Sequence, residues 1–266
     1  ILPTYGEELG LKGKICRNWV LNPHPTLIPA IEAGWVESVY AFGGETGMSR
    51  YTTARPDVFF TGRDGIMRSN RPFAQLAGLY AIDLFLGATL QLDYFGNSST
   101  VTGNRVSGFG GAPNMGHDSG GRRHATVAWT AMKDPTRPLR GGRKLVVQIV
   151  STSYKNKAGE VVPCIVPELD AVRVGKATGM PITPVMIYGE DVTHVVTEQG
   201  IAYTYMARTN EERREMIAAV SRGIPVESFC SDKRREELIS EGKIAFPETL
   251  GIDKGKANKE LLAAKS

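Results

Sequence analysis

Cysteine and long apolar runs are both scarce in this sequence, and each scarcity excludes a class of protein. The three cysteines, Cys16, Cys164 and Cys230, are odd in number and far apart. They predict neither a disulfide framework nor a zinc site, and we expect a reduced, cytoplasmic protein. No apolar run approaches the roughly 20 residues that a membrane-spanning helix needs, so we expect no membrane partner.

Several familiar catalytic motifs are also missing. The sequence contains neither the G-x-S-x-G elbow of many hydrolases nor the H-E-x-x-H motif of zinc proteases. His117 and His124 lie near Asp118, but no cysteine or further histidine completes a ligand set, so we expect no bound metal.

A large excess of charge of one sign is missing too. The net charge is only +4 over 266 residues, which does not favour nucleic acid and fits an anionic ligand or an acidic partner equally well. The length and the 41% hydrophobic content are sufficient for a buried core. The chain begins with Ile1 rather than Met, and we interpret it as a piece of something longer.

The patterns that are present alternate between strand and helix, which is typical of an α/β layered domain. We expect an entry segment over residues 1–15, the domain over 16–250 and a charged tail over 251–266. Helices are predicted at 26–33 with Thr26 as N-cap and Gly34 as stop, at 211–221, and from Glu236 onward. The predicted strands are 16–21, 36–42, 82–92, 145–150, 185–188 and 193–197.

The stretch from Gly87 to His124 contains the clearest ligand-binding features. Ala88, Leu90 and Leu92 alternate with polar residues, which predicts a strand with one buried apolar face. Gly96 and Asn97 then predict a turn in which a positive φ costs little. A loop with three glycines in four residues follows at 108–111.

This glycine loop can bring backbone N–H groups close to a ligand, because no Cβ stands in the way. The amides of Gly110 and Gly111 could stabilise a developing oxyanion. A tight structural loop accounts for the same glycines, so both interpretations stay open. The spacing is G-x-G-G rather than G-x-G-x-x-G, so no dinucleotide site is predicted.

One carboxylate and one pair of arginines are candidates for a catalytic or binding role. Glu45 lies in GGETG at the end of a predicted strand, where it is either a covalent nucleophile or an exposed turn carboxylate. Arg122 and Arg123 stand beside His124 and either bind a phosphate or carboxylate or form a solvated turn.

Three segments resemble the CoA transferases. Residues 87–101 are similar to that family's G-A-x-Q-x-D-x-x-G-N-x-N-x-T strand and turn, and GFGGAPN at 108–114 is similar to its G-x-G-G-A-P loop. VTHVVTEQGIA at 192–202 resembles the V-x-x-V-V-T-E-x-G-x-A segment of the acetyl-CoA hydrolase branch. Over residues 16–225 the chain resembles most the malonate decarboxylase alpha-subunit family, through FGGETGM, RPDVFFTGRDG and GFGGAPNMGHDSGGRRH in particular.

This resemblance implies a CoA-transferase-like layered fold with a central, largely parallel sheet flanked by helices. It implies an acyl-carrier-protein transferase that exchanges malonate for acetate on a carrier-protein thioester. A glutamate in an E-x-G motif attacks the thioester in that family, through a mixed anhydride and a glutamyl thioester. Glu45 matches the motif; Glu198 in E-Q-G also fits the bare pattern, but its surroundings match the V-V-T-E segment.

The other expected site residues follow from the same resemblance. Gly110 and Gly111 are the expected oxyanion donors. The carrier's thiol belongs to a dephospho-CoA-derived prosthetic group, so we expect no tightly bound cofactor on this chain, whether the substrate is that group or a CoA thioester. The expected substrate-binding residues are Gln91, Asn97, Gly108, Asn114, Arg122 and Arg123.

The resemblance also implies partners. These are an acyl carrier protein, the other malonate decarboxylase subunits, malonate and acetate, within an oligomer and without nucleic acid. The family's alpha subunit has two related α/β domains, and this chain resembles the second. Two other functions stay open: a short-chain acyl-CoA transferase or hydrolase, and a non-catalytic half that docks the carrier protein.

Overall fold

A computed structural model describes residues 16, 19, 23–40, 47–64, 84–99, 101–103, 105–106, 145–251 and 253. The chain divides into two compact units, the first comprising Ile1–Ile82 and His124–Gly142, and the second Asp83–Arg123 and Arg143–Ser266. The predicted domain boundaries near residues 15 and 250 stay predictions.

In its described residues, the first unit has two short helices and three parallel β-bridges. A 3-10 turn at Pro25–Leu27 leads into α1 (Ile28–Glu32), and α2 is Ser49–Ala54. The bridges join Cys16 to Val36, Trp19 to Val39 and Val39 to Phe59, so the strands predicted at 16–21 and 36–42 are bridges in their described parts. The buried core consists of Leu27, Ala30, Ile31, Val36, Val39, Met48, Val58 and Phe59.

The predicted N-cap of the first helix is wrong. Thr26 lies inside the 3-10 turn, and the Nδ1 atom of His24 accepts the Thr26 N–H at 3.2 Å. Pro25 begins the turn because its fixed φ suits a first helical position, where its missing N–H needs no partner. The predicted stop at Gly34 is confirmed by its φ of +74°.

The second unit contains a five-stranded sheet in the order β1 (Leu84–Ala88), β6 (Leu145–Ile149), β11 (His194–Val196), β12 (Ile201–Ala202) and β13 (Ile244–Ala245). β1, β6 and β11 are parallel, with Gly87 opposite Gln148 and Gln148 opposite Val195. β12 and β13 continue the sheet in antiparallel pairings.

A four-stranded sheet lies in the same unit, in the order β10 (Val185–Ile187), β3 (Ser98–Ser99), β2 (Leu92–Asp93) and β9 (Ile165–Val166). β2 and β9 are parallel, and the other two pairings are antiparallel. Two hairpins complete the described strands: β4 (Val101–Thr102) with β5 (Arg105–Val106), and β7 (Ser153–Lys155) with β8 (Val161–Pro163).

Helices flank these sheets. They are α3 (Asp170–Thr178), α4 (Asn210–Ala219) and α5 (Asp232–Ser240), with 3-10 turns at Thr204–Met206 and Pro225–Phe229. α4 lies against β12, and α5 lies against β13. The predicted α/β class, with parallel central strands and flanking helices, is confirmed.

α4 touches both sheets. The Val220 carbonyl at its end accepts the Thr197 hydroxyl at 2.5 Å, just beyond β11. On the other side, the Cδ1 atom of Ile217 lies 3.7 Å from the ideal Cβ position of Gly96, in the turn between β2 and β3. The last turn and a half of the helix is therefore enclosed on two sides.

The predicted single strand over 82–92 is wrong in its described part. β1 ends at Ala88 and the chain joins the other sheet at Leu92, while Thr89 and Gln91 are buried and Leu90 is 63% exposed. Hydrogen bonds make this possible, because the Thr89 hydroxyl donates to the Gln91 carbonyl at 3.0 Å. A buried polar side chain with a partner is tolerated, so alternation alone misassigned the buried face.

Capping side chains set the starts of the later helices. Thr209 accepts the Glu212 N–H at 3.1 Å and starts α4, which confirms the helix predicted at 211–221. Ser231 accepts the Arg234 N–H at 3.2 Å, so α5 begins at Asp232 rather than at Glu236. None of the described helices is long and apolar enough to cross a membrane.

Candidate functional site

Most of the predicted site residues lie outside the described residues. Gln91 and Asn97 are the two whose positions are described. The roles of the others stay predictions: Glu45, Gly108, Gly110, Gly111, Asn114, Arg122 and Arg123.

Asn97 closes the turn between β2 and β3. Asp93 Oδ1 accepts the N–H groups of Phe95 and Asn97, both at 2.9 Å, and Asp93 Oδ2 accepts Asn97 Nδ2 at 2.8 Å. Burial raises the pKa of Asp93, although these hydrogen bonds act in the opposite direction. Asn97 Oδ1 accepts the Gly189 N–H at 2.8 Å. The side chain of Asn97 thus holds the predicted turn, and its role towards substrate stays a prediction.

Gln91 has a structural partner as well. Its buried Oε1 atom accepts the N–H of Asp170, the first residue of α3, at 2.8 Å. The Asp170 carboxylate in turn accepts the Gly103 N–H at 2.6 Å. Gln91 therefore fixes the start of α3 against the four-stranded sheet, and its predicted contact with substrate is not tested.

The carboxyl ends of the parallel strands carry a carboxylate. β6 and β11 are parallel neighbours, so the residues that follow them meet at one edge of the sheet. There Glu198 accepts the Thr152 N–H at 3.0 Å on one oxygen and the Thr152 hydroxyl on the other. The Glu198 side chain is exposed, yet both of its oxygens are held. Ligands of open α/β sheets bind at this edge, which makes Glu198 and Thr152 a candidate site.

The residues that follow Glu198 keep it at this edge. Gln199 Nε2 donates to the Arg222 carbonyl at 2.8 Å, and the Arg222 N–H donates back to Gln199 Oε1 at 2.9 Å. A Cβ on Gly200 would lie 2.6 Å from the Ala245 carbonyl of β13, so only glycine fits there. Hydrogen bonds therefore explain Gln199 and close packing explains Gly200, whereas Glu198 remains open to solvent.

Cys164 is the third group beside this edge. Its N–H donates to the Thr152 carbonyl at 2.8 Å. Burial raises the pKa of the Cys164 thiol, and the negative charge of Glu198 raises it further. The thiol is therefore protonated at neutral pH and a poor nucleophile.

Sequence reasoning missed Thr152 and gave Glu198 a secondary place. The available signal was the polar S-T-S run directly after a buried strand, where a carboxyl end is expected. The contact itself joins residues 46 apart in the chain, and no local spacing reveals such a pairing.

The parallel central strands and flanking helices place the chain among the α/β proteins, whose ligands usually bind at the edge where Glu198 lies. A family described as "Malonate decarboxylase, alpha subunit, transporter" matches residues 1–266. The chain belongs to the malonate decarboxylase alpha-subunit family.

Individual relatives agree with this assignment. The acetyl-S-ACP:malonate ACP transferase of Malonomonas rubra is 52% identical over 273 residues, covering 100% of this chain and 49% of the relative. A Pseudomonas malonate decarboxylase hetero-tetramer, solved in complex with malonate, contains a chain 62% identical with a TM-score of 0.81, covering 100% of this chain and 48% of that one. The malonate decarboxylase alpha subunit from Acinetobacter baumannii is 58% identical, with a TM-score of 0.80. The match covers 98% of this chain and 48% of that one.

These coverages have a direct consequence. The chain spans about half the length of the relatives it matches. An activity named for a whole relative can therefore depend on residues that lie outside the matched half.

Proposed function

We propose that this chain forms part of an acyl-carrier-protein transferase that exchanges malonate for acetate on a carrier-protein thioester. The observation that carries the proposal is the 52% identity, over the whole chain, to the Malonomonas rubra acetyl-S-ACP:malonate ACP transferase. The malonate complex of the related Pseudomonas hetero-tetramer supports malonate as the acceptor acid and other malonate decarboxylase subunits as partners.

Glu45 is the nucleophile in this proposal. Its carboxylate attacks the acetyl thioester and expels the carrier thiolate, which leaves an acetyl-glutamyl anhydride. The thiolate attacks the glutamyl carbonyl and releases acetate, which leaves a glutamyl thioester. Malonate then displaces the thiolate to form a malonyl-glutamyl anhydride. Attack of the thiolate on the malonyl carbonyl gives malonyl-carrier protein and returns the free carboxylate.

Other predicted residues support these steps. Each attack creates a tetrahedral oxyanion, which the amides of Gly110 and Gly111 stabilise in this proposal. Arg122 and Arg123 pair with the free carboxylate of malonate or with a phosphate of the prosthetic group. The remaining proposed contacts with substrate come from Gln91, Asn97, Gly108 and Asn114.

Glu198 is the alternative nucleophile, and one observation favours it. It is exposed at the carboxyl edge of the parallel strands while Thr152 binds both of its oxygens. An attacking carboxylate has to be accessible and oriented, and Glu198 meets both conditions. Glu45 and Glu198 lie in different peptides, so a covalent label separates the two assignments.

Two further functions remain alternatives. A short-chain acyl-CoA transferase or hydrolase would use CoA thioesters in place of the carrier protein. That the chain belongs to the CoA-transferase superfamily is likewise a proposal. A non-catalytic docking half would bind the carrier protein without reacting. Three expectations stay predictions: that the chain binds no cofactor tightly, that it is cytoplasmic, and that it is part of an oligomer.

Trapping the intermediate tests the proposal. The full-length protein is incubated with acetyl-carrier protein, quenched with hydroxylamine or borohydride, and mapped by mass spectrometry. We expect modification of Glu45. Modification of Glu198 instead would transfer the role of nucleophile to it, and active enzyme with no modified carboxylate would contradict the covalent mechanism. Parallel reactions with acetyl-CoA separate the carrier-protein transferase from the CoA-dependent alternative.

A further inference from the structure

A small hairpin rises from the sheet edge that carries Glu198. β7 and β8 pair in antiparallel fashion, with Tyr154 opposite Val162 and Lys155 opposite Val161. The turn between them is rigid, because Asn156 Oδ1 accepts the N–H groups of Ala158 at 2.9 Å and Glu160 at 3.0 Å. The hairpin therefore presents a fixed surface rather than a loose loop.

Both faces of this hairpin are open. Tyr154 is 52% exposed on one face, and Val161 is 59% exposed on the other. An isolated two-stranded hairpin is marginally stable in water, and exposed apolar side chains on both faces make its exposure to solvent still less favourable. Val161 lies on the same face as Lys155, its partner across the hairpin, so an apolar side chain and a cation are presented together on one rigid surface.

The hairpin carries two lysines and one glutamate, a small excess of positive charge. Lys155 and Lys157 are exposed, and in the described part of the chain neither ammonium group has a hydrogen bond or an ion pair. The acidic residue of the hairpin, Glu160, accepts Asn156 Nδ2 at 2.7 Å. The face that carries Lys155 and Val161, with Lys157 in the turn, is therefore complementary to an acidic partner.

The base of the hairpin belongs to the candidate site. Thr152, which directly precedes β7, binds both oxygens of Glu198. At the other strand, the residue after β8 is Cys164, whose N–H donates to the Thr152 carbonyl at 2.8 Å. A protein bound on the hairpin thus lies beside the edge that carries Glu198, the alternative nucleophile.

We propose that the face of the hairpin 153–163 that carries Lys155 and Val161 is the docking surface for the acyl carrier protein, with Val161 in apolar contact and Lys155 and Lys157 facing acidic side chains of the carrier. This inference rests on the proposed function, because it takes the carrier protein as the substrate. The lysines bind the protein itself and not the phosphates of its prosthetic group.

Binding and transfer measured separately test this inference. The full-length protein is compared with a Lys155→Glu/Lys157→Glu variant and a Val161→Asp variant, by calorimetric titration with carrier protein at low and physiological salt. We expect the Kd to rise at least about tenfold in each variant, and the salt dependence to weaken in the double variant. Lys233→Glu, which reverses an exposed charge on α5, is the matched control and should leave the Kd unchanged.

Transfer assays with two donors complete the test. The variants should lose efficiency with acetyl-carrier protein, through KM, and keep it with the acetyl thioester of the isolated prosthetic group. An unchanged Kd for carrier protein would overturn the docking proposal. An equal loss with the isolated thioester would also overturn it, because the lysines would then contact the phosphates. Wild-type binding without any transfer would contradict the proposed function and leave the docking surface supported.

Discussion

At the scale of the residue, the chemical proposal depends on Glu45. Glu45→Gln removes the nucleophilic carboxylate and keeps the size of the side chain. We expect malonate-dependent acyl exchange to fall by more than about 10³-fold, as it does when other enzymes lose their nucleophile. The thermal midpoint should stay within about 2 °C, since a small change in stability moves it little. Full activity of this variant would contradict the assignment.

Gln148 is a second residue with a measurable consequence. It is fully buried in the centre of β6, and neither polar atom of its amide has a hydrogen bond with the residues that the structure describes. A buried polar group without a partner costs about 1–3 kcal/mol, so Gln148→Met should raise the free energy of unfolding in urea by about 1 kcal/mol. Gln91→Met is the matched control, and it should destabilise the protein because Gln91 has a partner in the Asp170 N–H. A destabilised Gln148→Met would show that the amide has a polar partner in solution.

Gly189 marks a close approach of two backbones. A Cβ there would lie 2.0 Å from the Phe95 carbonyl oxygen, in the turn that Asn97 closes. Gly189→Ala should therefore lower the free energy of unfolding by about 3 kcal/mol, because backbone must move. Gly175→Ala, whose Cβ would be 3.3 Å from Pro184 Cδ, should stay within about 1 kcal/mol. Equal effects in the two variants would contradict this explanation.

At the scale of the element, one ionic network joins α4, α5 and β13. Glu212 Oε1 accepts Lys243 Nζ at 2.6 Å and Arg234 Nη2 at 3.1 Å, and Glu212 Oε2 accepts the Arg208 N–H at 2.7 Å. Burial alone would raise the pKa of Glu212, but these bonds outweigh it and hold the pKa below its ordinary value. Hydrogen bonds to Glu212 and Glu241 raise the pKa of Lys243.

The network predicts a pH-dependent stability. Because the pKa of Glu212 is lower in the folded state, its contribution is present above the ordinary value of 4.5 and is lost as the pH falls through the folded value. Glu212→Gln should lower the free energy of unfolding by about 2 kcal/mol at pH 7, with the difference shrinking below about pH 4. Arg222→Gln, which breaks an exposed ion pair with Asp232, should cost less than about 0.5 kcal/mol. A difference for Glu212→Gln that is constant with pH would contradict the role of the carboxylate.

Helices and strands whose cause lies in nearby residues could be predicted, and those that depend on distant contacts could not. α4 could be predicted from the sequence because Met216, Ile217 and Val220 repeat with the helical period and Thr209 caps the start. β6 could be predicted because its apolar run is short and rich in β-branched residues. The strand at 82–92 failed because its burial is decided by distant partners, including the Asp170 N–H for Gln91.

At the scale of the whole molecule, the α/β class and the family could be predicted from sequence, since both rest on patterns that span the chain. The candidate site could be predicted only in part. Motif matching proposed Glu45 and the glycine loop, which lie outside the described residues and stay predictions. It could not pair Thr152 with Glu198, because that contact depends on the neighbouring position of β6 and β11 in the sheet. Sheet order is a property of the assembled fold, and local spacing does not contain it.

The position of α4 between two sheets also sets the order in which the second unit opens. Met216, Ile217, Ala218, Ala219 and Val220 are all between 0% and 1% exposed. Their amides cannot reach solvent unless the helix separates from β12 and from the β2–β3 turn together, which amounts to unfolding the unit. In native-state hydrogen exchange they should be among the last to take up deuterium, at a rate set by global stability. The hairpin 153–163 should exchange early, so a bound carrier protein would be visible as slowed exchange there while α4 stays unchanged.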